Sequence, residues 1–205
     1  MKKINSLIIA LMVVLLTIAS ASAVANEKMI TGTQTIVAFS GNTSDGLSDV
    51  NIVSFQTDYM GNKETKINFD YTIYDENGAV IEEYSTEFIP IDNSCLIVNQ
   101  GLKSATLSIP KLTVNDSDDN QFDVSVNLRW DGNKVLKIPD NKPPVTVNYD
   151  FVQIILVKGT EATLKGSIEG EDISINAGAF TPYDTGMGYK SSIIAQMTFR
   201  SLYIG

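Results

Sequence analysis

The sequence contains no histidine. That absence excludes Ser-His-Asp and Cys-His nucleophilic catalysis, His-ligated zinc and His-ligated haem. Cysteine is nearly as scarce. Cys95 is the only one, so no disulfide can form within the chain and stability has to come from the packed interior or a metal. Set in Cys95-Leu96-Ile97-Val98, it reads as a small buried hydrophobe and not as a reactive thiol. Basic side chains are outnumbered, 15 against 24 acidic, for a net charge of −9. A surface of that sign repels nucleic acid and anionic lipid head groups. No Gly-rich phosphate loop leads a strand into a helix, so nucleotide binding has no support.

Long apolar runs are missing too, apart from one at the N-terminus. Lys2 and Lys3 precede an apolar stretch from Leu7 to Ile18, and the small residues Ala19 to Ala25 follow. Positive, apolar and small-residue regions in that order are the pattern of a secretory signal peptide. Cleavage after Ala23 or after Ala25 fits; Ala25 is preferred because polar Asn26, Glu27 and Lys28 come next. The alternative is an uncleaved anchor, which the Ala/Ser-rich end of the stretch argues against. Cleavage after Ala25 takes two basic residues and no acids, leaving 180 residues with 13 bases against 24 acids. The expected domain is 26–205, with no transmembrane helix in the mature chain and a secreted or cell-surface location.

What the rest of the chain has in abundance is alternation of apolar and polar residues with period two, the mark of half-buried strands. Ile67, Phe69, Tyr71 and Ile73 alternate with Lys66, Asn68, Asp70 and Thr72. Asn77-Gly78 then predicts a two-residue type I′ turn. That register pairs Ile73 with Glu82, Tyr71 with Tyr84, Phe69 with Thr86 and Ile67 with Phe88, keeping Tyr84 and Phe88 on the apolar face. A second hairpin is expected from Phe122–Trp130 through Asp131-Gly132-Asn133, pairing Leu128 with Leu136 and Val126 with Ile138 and placing Asn133 in the left-handed region. Further strands are expected at Thr33–Phe39, Asn51–Thr57, Cys95–Val98, Ala105–Ile109, Val145–Val157, Ala162–Ile168, Ile173–Ile175 and Ser192–Leu202. About a dozen short strands predict an all-β, antiparallel β-sandwich, with a β-barrel-like sandwich as the alternative. Pro139–Pro144 is the sharpest break. It reads as a connection inside one domain, since the piece beyond it is small to fold alone.

Three features could carry chemistry. In Asn115–Asp123, the residues Asp116, Asp118 and Asn120 have the spacing of the first three ligands of an EF-hand. Gln121 stands where that loop needs glycine and Asn127 where it needs glutamate, so a non-helical Ca2+ loop competes with a plain solvated turn, and the turn is favoured. Tyr183, Asp184 and Tyr189 in the Pro/Gly-bearing stretch 180–190 could stack on and hydrogen-bond a sugar, or could cap the fold. Trp130 could offer a ring at a rim, although its phase with Val126 and Leu128 favours the core. Glu82 and Glu83 are adjacent on a strand and point to opposite faces, so they do not form a catalytic pair. The leading expectation is a non-catalytic binding or adhesion module of the cell envelope or exterior, with an extracellular glycan or surface protein as partner. The alternatives are a structural envelope subunit assembling by strand edges and a carboxylate-dependent glycan hydrolase.

Overall fold

The computed structural model describes residues 27–43, 46–139, 145–147, 150–169, 171–175 and 191–204. The expected signal peptide lies outside them. Twelve strands follow one another: β1 (Glu27–Asn42), β2 (Ser48–Tyr59), β3 (Asn62–Tyr74), β4 (Val80–Ile91), β5 (Leu96–Val98), β6 (Ser104–Asp116), β7 (Gln121–Gly132), β8 (Leu136–Pro139), β9 (Val145–Val147), β10 (Asp150–Ile168), β11 (Glu171–Ile175) and β12 (Ser191–Ile204). All ladders are antiparallel, and there is no helix among the described residues. The all-β antiparallel expectation therefore holds.

The ladders form a circuit. From β10 they pass through β12, β1, β2, β3, β4 and β6 to β7, which pairs again with β10. The length of β10 makes this closure possible. Its first part, Val152–Glu161, pairs with β12, and its second, Ala162–Ile168, pairs with β7. The joint between β4 and β6 is slight, only Tyr84 with Asp116 and Ser85 with Asn115. Elsewhere β4 has no second partner among the described residues, and β6 on that side pairs only with β5, through Ala105–Leu107. Pro90 and Pro110, which lack an N–H, lie on those edges, and exposed Lys111 stands beside Pro110. Prolines and lysines on edges deter the pairing of further strands.

The main core collects the inward residues of this circuit. Val37 and Phe39 of β1, Ile52 of β2, and Ile67 and Phe69 of β3 face Leu107 of β6, Val126, Leu128 and Trp130 of β7 and Leu164 of β10. Burying one such side chain contributes about 1.5–3 kcal/mol. The opposite face of β1, β2 and β12 is buried as well, with Ile36, Ala38, Val53, Phe55 and Met197 forming a second cluster. Alternation alone therefore understates how apolar these strands are: consecutive residues Ile36 to Phe39 are all buried.

The first expected hairpin forms, with two adjustments. Ile73 pairs with Glu82, Tyr71 with Tyr84 and Phe69 with Thr86. The loop, however, is Glu76-Asn77-Gly78, closed by the Asp75 N–H donating to the Ala79 carbonyl (2.8 Å) and the Gly78 N–H donating to the Asp75 carbonyl (3.0 Å). Only Gly78 takes a left-handed conformation (φ 82°), so this is not a type I′ turn, which needs two. A bulge at Ile81 restores the register. A second irregularity then pairs Ile67 with Ile89 in place of Phe88. The slip carries Phe88 to the other face, where its ring meets Phe55 at 5.2 Å, while Ile89 takes the place against the main core.

The second expected hairpin is not there. β7 does not turn back into β8; the two follow one another along β10, with Gly132 beside Ala162 and Leu136 beside Gly159. The hairpin partner of β7 is β6, across the turn at 116–120. Gly132 is needed for close approach and not for a turn, because a Cβ there would lie 2.6 Å from the Thr160 methyl and 2.9 Å from the Leu102 carbonyl oxygen. Asn133 does not adopt positive φ. β6 also runs past Pro110, which a bulge between Ile109 and Leu112 accommodates.

Candidate functional site

On β1 the inward-facing positions change character along the strand. Val37 and Phe39 are buried in the main core, yet Thr33 and Thr35, on the same face, are half-buried and polar. The neighbours change in step. On β2, Ile52 gives way to Gln56 and Asp58, and on β12, Ile194 gives way to Gln196. The loop from Val98 to Leu102 stands opposite. Together these residues and Lys63 bound a cleft of about 360 Å3.

The cleft presents hydroxyls, amides, one carboxylate and one ammonium. Some of these groups hold one another in place. The Gln196 amide donates to the Thr35 hydroxyl (3.2 Å). The Gln56 amide donates to the Thr65 hydroxyl (2.9 Å), which in turn donates to the Asn93 side-chain oxygen (2.7 Å). The Asn93 amide donates to the Lys63 carbonyl (3.0 Å). The wall of the loop is set by Asn99, whose side-chain oxygen accepts the Gly101 N–H (2.9 Å), and by Leu102, which sits buried at φ 56°. Such a surface can hydrogen-bond a small polar molecule through several groups at once, and its donors and acceptors are partly preorganised. Asp58 and Lys63 are partners across β2 and β3 and bring opposite charges to one rim. Neither takes part in an ion pair among the described residues.

Of the residues singled out from sequence, those that are described do not line the cleft. Trp130 is fully buried, and its indole N–H donates to the Ala38 carbonyl (3.1 Å). It is a core residue with a satisfied polar atom and presents no ring face to a ligand. Tyr183, Asp184 and Tyr189 lie outside the described residues. Asp116, Asp118 and Asn120 form the β6–β7 turn. One Asp116 oxygen accepts the N–H groups of Asp118 and Asn120 (both 2.8 Å), and the other accepts the Asn120 amide (2.9 Å). The hydrogen bonds from Asn120 and Asp118 hold the Asp116 carboxyl below the usual range. Three Asp116 lone pairs thus serve the turn, and no group of three or more acidic or cysteine ligands converges among the described residues. The Cys95 thiol is half-buried, and burial pushes its pKa up, which keeps it a weak nucleophile.

Sequence reading misses the cleft because each of its residues looks like the ordinary outward partner in an alternating strand. The available signal was that Thr33 and Thr35 keep phase with Val37 and Phe39, and Gln56 with Ile52. Among the described residues there is no helix long and apolar enough to cross a membrane. No protein-family model, curated protein or solved structure matches the chain.

Proposed function

We propose that the chain is an exported binding module that holds a small polyhydroxylated ligand, such as the end of a glycan, in the cleft between β1, β2, β12 and the 98–102 loop. The observation that carries this reading is the replacement of core residues by Thr33, Thr35, Gln56, Asp58 and Gln196 on the inward side of adjacent strands. Thr33, Thr35, Gln56 and Gln196 are half-buried and Asp58 is exposed, so their polar groups border one concave surface and stay within reach of a ligand. The absence of histidine supports binding over hydrolysis, and the N-terminal sequence supports export. Assembly by strand addition gets little support from the edges that Pro90, Pro110 and Lys111 occupy.

Calorimetry on the mature chain with neutral, amino and acidic oligosaccharides tests this. Binding is expected, and Asp58→Asn and Gln56→Ala should each weaken it by about tenfold, the loss of one or two good hydrogen bonds. No binding across the panel, or binding untouched by both substitutions, would remove the cleft as the site.

A further inference from the structure

The far end of β3 from the cleft has different chemistry. There the β3–β4 and β6–β7 turns lie side by side, joined through Tyr84 and Asp116. Acids crowd this end: Asp75 and Glu76 in the β3–β4 turn, Glu82 beside Tyr84, and Asp116, Asp118 and Asp119 in the β6–β7 turn. None of these turn and corner acids takes part in an ion pair among the described residues. Large apolar side chains are exposed in the same place: Val80 (57%), Ile81 (59%) and Phe122 (44%). The Phe122 ring meets Tyr84 edge-on with centroids 5.5 Å apart, and the Tyr84 hydroxyl donates to the Glu82 carboxylate.

From this juxtaposition we infer that the Tyr84–Phe122 corner, with Val80 and Ile81 beside it, docks a cationic, aliphatic segment of a partner protein, one Lys or Arg side chain lying against the rings. An aromatic face attracts a cation, and neighbouring carboxylates add to that attraction while the aliphatic part of the segment covers Val80 and Ile81. The Tyr84 phenol reports the local field. The Glu82 hydrogen bond, then burial, then the charges of Glu82, Asp116 and Glu169 push its pKa up to about 12. A second copy of this chain is a poor occupant, since net charge −9 and the acids around the corner repel their own kind. Strand addition is also disfavoured, because the bulge at Ile81 distorts the free edge of β4. Recognition therefore rests on side chains.

Fluorescence anisotropy with a labelled peptide of alternating Lys and Leu tests the inference, with a Glu/Leu peptide as control. The cationic peptide is expected to bind, more weakly as salt is raised, and the acidic one not at all. Phe122→Ala and Glu82→Gln should each weaken binding at least fivefold, with circular dichroism unchanged. Asp131→Asn removes a like charge at the other end of β7 and should change nothing. Equal weakening by Asp131→Asn would mean that bulk charge alone attracts the peptide. That result, or no binding at low salt, or insensitivity to Phe122→Ala, overturns the assignment. Peptide binding at this corner uses no residue of the cleft, so this test can fail while the glycan reading stands, and the reverse.

Discussion

The β3–β4 and β6–β7 turns have nearly the same geometry built from different residues. In each, an aspartate opens the loop, one of its oxygens accepts the N–H groups two and four residues on, and its own N–H donates to the carbonyl four residues on. In each, the residue three after the aspartate is left-handed: Gly78 at φ 82° and Asp119 at φ 63°. The sequences suggest two different things. Asp75-Glu76-Asn77-Gly78 reads as a turn, and Asp116-Ser117-Asp118-Asp119-Asn120 as a turn or a metal loop. The pair teaches that an aspartate opening such a run can serve as an Asx cap for the backbone, the same role Asp75 plays in a turn with no such run.

The largest effect should come from removing that first aspartate. Asp75→Ala and Asp116→Ala are each expected to lower the urea midpoint, and by similar amounts, because each strands the same two N–H groups. Asp75→Asn and Asp116→Asn keep an acceptor oxygen and should retain most of the stability that the alanine variants lose. Calcium supplies the sharper contrast. If Asp116 is a cap like Asp75, millimolar calcium leaves the melting temperature of the wild-type chain unchanged. A rise that Asp116→Asn abolishes and Asp75→Asn does not would break the equivalence and restore the metal reading.

A smaller effect is expected at the left-handed positions. Gly78 has open space around its missing Cβ, so Gly78→Ala costs only the backbone term, about 1–2 kcal/mol. Asp119→Gly runs the other way and should stabilise by about 0.5 kcal/mol, less than the full term because Asp tolerates this conformation and Gly raises the entropy of the unfolded chain. Urea unfolding of both variants measures the two. Equal signs would mean that the turns differ in a way their hydrogen bonds do not reveal.

How much of this was legible follows from which signals are local. The strand Ile67–Ile73 and the middle of its hairpin could be read because turn chemistry and alternation agree over a few residues. Phe88 could not be placed, since a one-residue irregularity reverses its face and leaves no mark in composition. Asp131-Gly132-Asn133 misleads for a related reason. Glycine serves a tight turn and a close packing contact equally well, and only the distant Thr160 and Leu102 decide between them. Closure of the ladder through β10 joins residues far apart in sequence, and the cleft is legible only after β1, β2 and β12 are known to be neighbours. Trp130 is legible as a core residue because it keeps phase with Leu128 and Val126, beside which it is buried.

The smallest expected difference between the turns is their response to acid. Hydrogen bonds, first from the Ala79 N–H at Asp75 and first from the Asn120 amide at Asp116, lower both carboxyl pKa values. A carboxyl whose folded pKa lies below its unfolded value of about 3.9 contributes stability above that value and loses it as pH falls through the folded value. Both turns should therefore keep their contribution at neutral pH and surrender it below about pH 4. Carboxyl carbon titrations by NMR should show both side chains inflecting below an ordinary exposed aspartate. Each depression should vanish when its own donors are lost on unfolding in urea. If Asp116 alone titrated normally, its oxygens would not be engaged with Asp118 and Asn120 in solution, and they would be free to face a cation.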